Sequence, residues 1–134
     1  MKILVIDGQG GNLGRQLCKM LLERMKDITV RAVGTNSLAT ESMLKTGVQE
    51  AATGENAVIV GAKWADIIIG PIGIVIADAL LGEVTAKMAA AVGSAEAKRV
   101  LIPMNKCDTI IAGIDNIPTS TLIESAVQKI ISYT

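Results

Sequence analysis

The run Asp7-Gly8-Gln9-Gly10-Gly11-Asn12-Leu13-Gly14 is the part of this sequence whose residue types and spacing point most directly to chemistry. Gly8, Gly11 and Gly14 fit G-x-x-G-x-x-G, while Gly8, Gly10 and Gly14 fit G-x-G-x-x-x-G. Both patterns suit a phosphate-binding turn for a physical reason. Glycines let the backbone bend sharply and approach a pyrophosphate, and the free N–H groups opening the next helix meet its negative charge. Asp7 could hold a ribose hydroxyl, a magnesium ion or the amides of its own loop. On this reading an aspartate at Gly11 repels the anion and leaves the fold intact.

Four further turns are rich in Gly, Asn and Thr: Gly34-Thr35-Asn36-Ser37, Ala52-Thr53-Gly54-Glu55-Asn56, Gly70-Pro71-Ile72-Gly73 and Pro103-Met104-Asn105-Lys106-Cys107-Asp108. Thr35, Asn36, Thr53, Gly70, Pro71, Gly73, Asn105 and Lys106 therefore join the first turn as candidate ligand contacts. Gly70 to Gly73 reads either as a second anion nest at a helix start or as a turn packed tightly on the first strand. Lys106 could reach a phosphate and Cys107 could be an activated thiol, although a solvated loop is the plainer reading of both. A nucleotide or dinucleotide suits the first turn, but NAD suits it poorly. Its adenine ribose usually meets an acid about 20 residues past the glycines, and Gly34-Thr35-Asn36-Ser37 offers neither an acid nor an arginine.

These turns converge only if each lies at the carboxyl end of a strand in one parallel sheet. The apolar periodicity supports that arrangement. Lys2 to Ile6, Asp66 to Ile69 and Arg99 to Ile102 are continuous apolar runs, the mark of strands covered on both faces. Ile28, Val30 and Ala32 alternate with polar residues, which suits a strand nearer an edge, and Val48 to Ala52 is a weaker strand candidate. Leu13, Leu17, Met20 and Leu21 recur at helical spacing. Ser37 to Lys45 reads as a helix ended by Gly47, and Asn56 to Trp64 and Thr85 to Val92 as two more. Ile74 to Leu81 is apolar nearly all round and reads as a buried helix. Thr109 to Ile114 reads as a last strand, antiparallel or separate, because the connection before it is too short for a parallel crossover. Pro118 opens a final helix with a stripe from Leu122 to Ile131 and capping-box spacing from Thr121 to Glu124. The fold class is a Rossmann-like, doubly wound, mostly parallel α/β/α sandwich, one domain over residues 1–134.

Composition narrows the function. The chain has no histidine, which removes Ser-His-Asp and Cys-His catalysis and imidazole metal sites. Cys18 and Cys107 stand in no metal-ligand spacing and read as free thiols, and no metal is expected. Basic and acidic residues balance at 13 each, so no net field favours nucleic acid or an anionic membrane. With one Trp, one Tyr and no Phe there is little on which to stack bases. The apolar segment from Ile67 to Ala77 is broken by Gly70, Pro71 and Gly73 and falls short of the roughly 20 residues a membrane span needs. Ile3 to Ile6 is too short for a signal peptide, so a cytoplasmic location is expected. The apolar segment Ile74 to Leu81 and the stripe Leu122 to Ile131 together exceed what so small a chain can hide, which predicts a homo-oligomer, most simply a two-fold dimer.

The strings VIDGQGGNLGRQL, AVGTNSLATESMLKTG, ATGENAVIV, IIIGPIGIVIADALLGEVTAKMAAAVG and LIPMNKC span nearly the whole chain. In them the sequence resembles a family of small bacterial proteins of unknown function, typical of anaerobic Gram-positive bacteria. That resemblance implies no activity and transfers no catalytic residue. The glycine turn alone is similar to that of extended short-chain dehydrogenases, but their Tyr-x-x-x-Lys pair has no counterpart, since Tyr133 is next to last. Three functions remain. The first is a binding module for a nucleotide or other small phosphorylated ligand. The second is a small enzyme using Asp7, Glu55, Asn105, Lys106 or Cys107, and the third an accessory, oligomerising subunit with no ligand. The first asks least of the residues present.

Overall fold

Strand β1 (Lys2–Asp7) buries Ile3, Leu4, Val5 and Ile6 in succession. Side chains alternate between the faces of a strand, so such a run is satisfied only in a sheet covered on both sides. The computed structural model describes residues 1–104 and 109–134 and builds that sheet. Asn105, Lys106 and Cys107, with the expectations placed on them, lie outside the described residues. Helix α1 (Asn12–Arg24), β2 (Thr29–Gly34), α2 (Ser37–Leu44), β3 (Glu50–Thr53), α3 (Glu55–Trp64), β4 (Ile67–Pro71), α4 (Ala86–Gly93), β5 (Lys98–Ile102) and α5 (Thr119–Tyr133) follow in turn. The five strands are all parallel, in the order β3-β2-β1-β4-β5. This is the Rossmann-like doubly wound arrangement, reversing direction at β1 and β4.

The two faces of β1 sort the core. Ile3 and Val5 point into a layer with Leu17 and Leu21 of α1, Met43 of α2, and Ile123, Val127 and Ile130 of α5. Leu4 and Ile6 point the other way, onto Val58 and Ala62 of α3 and Met88 and Val92 of α4. Strand β2 lies one place in from the edge, and β3 is the edge itself. There Arg31 Nε donates to Glu50 Oε1 at 2.9 Å, while the guanidinium stacks 3.9 Å from the centre of the Trp64 ring, a cation–π contact. Gly47 follows α2 at φ +89°, its N–H on Leu44 O, as a left-handed helix terminator should be.

Three expectations are corrected. Ile74 to Leu81 is not a helix: a single 3₁₀ turn, Ile72–Val75, gives way to a tight loop in which Asp78, Leu80, Leu81 and Gly82 all have positive φ. The β-branched run Ile74-Val75-Ile76 disfavours helix, and the loop sends Ile74, Ala79 and Val84 inward while Leu81 is 95 % exposed. Thr109 to Ile114 forms no strand. Ile110 is 96 % exposed and the chain turns at Gly113, φ +83°, so no apolar face holds that segment against the sheet. The capping box does not form either, because α5 starts two residues before Thr121, directly after Pro118. Glu124 instead makes a two-pronged salt bridge with Arg24 of α1. The stripe of α5 packs on the sheet through Ile123, Ala126, Val127 and Ile130. Exposed Leu38 and Leu44 on α2 and Val60 on α3 sit on opposite sides of the sheet. Among the described residues no helix is long and apolar enough to cross a membrane.

Two predictions follow from this packing. A Cβ at Gly70 would overlap the backbone carbonyl of Ile6, and neither strand can yield without breaking its pairing. Gly70→Ala should therefore cost about 1–3 kcal/mol, the range of overpacked cores, read as a melting temperature lower by several degrees; an unchanged melting point would show that β1 and β4 are looser than described. Cys18 is a free, fully buried thiol, and burial first, then the charge of Asp7, push it up to about 12. In a Cys107→Ser background it should ignore a thiol-specific reagent at neutral pH and react fully once denaturant is added.

Candidate functional site

Asp7 is where the sheet ends and the turn begins. Its carboxylate is buried, with Oδ1 accepting the Gly8 N–H at 2.8 Å and Oδ2 the Gly14 N–H at 2.6 Å. Of the three roles open to Asp7, the geometry shows that of gathering its loop's amides. The turn closes with Gly11 N–H on Gly8 O at 2.9 Å. Gly11 has φ +73°, and a Cβ there would lie 2.7 Å from the Ala39 backbone, so the chain needs glycine for both conformation and clearance. An aspartate at Gly11 would thus disturb the fold itself, contrary to the sequence-based expectation. Gly14 lets α1 settle against Asp7 and Met43, and Gly10 alone of the four faces open space.

The turn leaves donors exposed. The first N–H groups of a helix have no partner within it. Among the described residues the amides of Gly10, Asn12 and Leu13 donate to no protein acceptor. They border a cavity of about 360 Å³, within the usual size range of small-molecule sites. Asp7 to Leu13 form one wall of it, with Gln16 on α1. The rest comes from Pro71 at the end of β4, Leu80, Met104 beyond β5, and Thr119 at the start of α5.

The end of β2 is arranged differently. Glu83, from the loop between β4 and α4, reaches across so that its Oε1 accepts the Gln9 N–H at 2.9 Å, the Thr35 hydroxyl at 2.7 Å and the Asn36 Nδ2 at 2.7 Å. Asn36 also caps α2 through Ala39 N–H and donates to Gln9 O. Burial by itself would raise the Glu83 carboxyl, but the bonds from Gln9, Thr35 and Asn36 outweigh it and hold the group below its ordinary value. Leu80 sits beside it, 2.7 Å from where a Gly8 Cβ would be.

The expected residues therefore separate into groups. Asp7 to Leu13 and Pro71 meet at the cavity, with Gly14 directly behind. Thr35 and Asn36 are adjacent but tied to Glu83. Thr53 is bonded to Thr40 at 2.7 Å, and neither Thr35, Asn36 nor Thr53 lines the cavity. Gly70 is packed on β1 and Gly73 on Ala79, in keeping with the packed-turn reading of that segment. Asn105 and Lys106 lie outside the described residues. Glu55 accepts from the Thr85 hydroxyl at 2.6 Å, joining α3 to α4 away from the cavity. Glu83, Leu80, Gln16 and Thr119 were missed. Glu83 comes 12 residues after the end of β4, beyond the reach of any strand-end pattern, whereas Gln16, one helical turn past Asn12, was open to inference. Among the described residues no group of three or more metal-ligating side chains occurs.

A carboxyl lowered by folding stabilises the native state above its unfolded pKa, and that contribution fades as pH falls through the lowered value. Glu83→Gln keeps the acceptor oxygen but not the charge. The stability difference between wild type and this variant should be greatest near neutrality and vanish in acid. A gap that stayed constant into strong acid would show that the charge of Glu83 is immaterial to the loop.

No curated protein matches the sequence. Among solved structures the chain is similar to a dodecameric FMN-dependent UbiX-like decarboxylase from Escherichia coli O157:H7. Identity there is 19 %, 96 % of this chain and 76 % of that one are covered, and the TM-score is 0.49. Over residues 2–134 the sequence matches the model of one family, DUF3842, a domain of unknown function, and on that basis the chain belongs to it.

Proposed function

We propose that this protein binds the phosphate group of a nucleotide or another phosphorylated metabolite on the amides of Gly10, Asn12 and Leu13. The observation that carries the reading is that those three donors, without an acceptor among the described residues, border one cavity at the start of a 13-residue helix. Charge-assisted hydrogen bonds contribute about 1.5–3 kcal/mol each, and the dipole of α1 adds ~0.3–1 kcal/mol for an anion at its N-terminus. The remaining walls suit the body of such a ligand. Leu13, Pro71, Leu80 and Met104 offer apolar cover for a sugar or ring, while Gln16 and Thr119 can meet its hydroxyls. Binding asks nothing more of the chain than these groups.

Gly10→Asp is the informative substitution, because a Cβ there meets nothing within 4 Å and the new carboxylate stands beside the donors. The fold should survive. Inorganic phosphate and AMP should raise the melting temperature of wild type and bind the variant at least roughly tenfold more weakly, about 1.4 kcal/mol. Equal affinity for both proteins in calorimetry would place the anion elsewhere.

A further inference from the structure

We propose that the Glu83 bridge makes this a site for ligands with a single phosphate end, and that it excludes dinucleotides. The inference rests on the phosphate reading of the glycine turn and specifies which ligands that turn accepts. A dinucleotide has its pyrophosphate in the middle and a nucleoside at each end. In a doubly wound fold it therefore needs room on both sides of the first turn, with one nucleoside over the end of β2. Among the described residues the cavity lies to one side of the turn. The cavity extends from the turn over Pro71, Met104 and Thr119, at the ends of β4 and β5 and the start of α5.

On the other side, Glu83 Oε1 is held simultaneously by Gln9, Thr35 and Asn36. Leu80, from the same loop, lies 2.7 Å from where a Gly8 Cβ would stand. A ribose placed there would displace a carboxylate with three donors and leave those donors to be satisfied again. The bridge is also braced from its own side. The Asp78 N–H donates to Val84 O at 2.7 Å, the Val84 N–H to Ala79 O at 3.1 Å and the Glu83 N–H to Leu80 O at 3.2 Å. Leu80 and Leu81 are kept at φ +57° and +58°, conformations that side-chain-bearing residues adopt only when the surroundings impose them. Val84 itself is anchored in the core. The acid that the sequence lacks at the end of β2 is thus supplied from a distant loop, but its Oε1 is taken by two of the protein's own N–H donors and a hydroxyl.

The test is calorimetry of wild type, Glu83→Ala and Leu80→Ala with inorganic phosphate, AMP and NAD. Wild type should bind AMP at least tenfold more tightly than NAD. Glu83→Ala should narrow that ratio to within threefold by strengthening NAD binding, with phosphate affinity unchanged. Leu80→Ala trims the same loop and keeps the bridge bonds; because Leu80 also lines the cavity, it is read by NAD affinity itself, which should rise, and it serves where Glu83→Ala does not fold. NAD binding wild type as tightly as AMP would overturn the exclusion while leaving the phosphate site standing. An unchanged ratio in Glu83→Ala and an unchanged NAD affinity in Leu80→Ala would equally remove Glu83 and its loop as the cause. Failure of phosphate and AMP alike to bind wild type would overturn the phosphate reading, and this inference with it.

Discussion

The site depends on one buried carboxylate receiving two amides seven residues apart. By holding Gly8 N–H and Gly14 N–H together, Asp7 folds the chain back over the end of β1 and fixes the direction in which α1 leaves the sheet. An amide buried without an acceptor is costly, so a turn this tight needs an internal partner for the donors it turns inward. Asp7 takes the inward pair. The amides of Gly10, Asn12 and Leu13 are left without an acceptor among the described residues, and those residues border the cavity.

Much of the fold was legible because it is governed by local periodicity. The run from Ile3 to Ile6 could only be a doubly covered strand, and the spacing of Leu13, Leu17 and Leu21 only a helix. Gly47 marked the end of α2 because a left-handed terminator selects glycine. Legibility ended where tertiary contacts override composition. Ile74 to Leu81 has the hydrophobicity of a buried helix, yet its β-branched start and the pull of Val84 into the core make it a loop. The spacing from Thr121 to Glu124 mimics a cap, but helix α5 had already begun and Glu124 had a better partner in Arg24.

The site divides along the same line. Asp7 to Gly14 is a contiguous string, and both its conformation and its place at the sheet edge could be read from residue types. Glu83 is brought to Gln9, Thr35 and Asn36 from more than 45 residues beyond the turns it joins, and no short-range pattern encodes such a meeting. The apparent absence of an acid at the end of β2 was a true statement about the sequence and an incomplete one about the space. Thr35 and Asn36 illustrate the reverse error. Their types suit a ligand, but a neighbouring element claims them first.

The stacking of Arg31 on Trp64 has a practical consequence for optical work on this protein. Trp64 is the single tryptophan, and it stands with Lys2 and Asp66 at the amino edge of the sheet, the end opposite the glycine turn. Its ring is stacked with a guanidinium that β2, β3 and α3 together hold in place, so its emission is expected to change when they come apart. Intrinsic fluorescence is accordingly a reporter of global unfolding and is silent at the cavity, so titrations there call for a signal carried by the ligand or by heat.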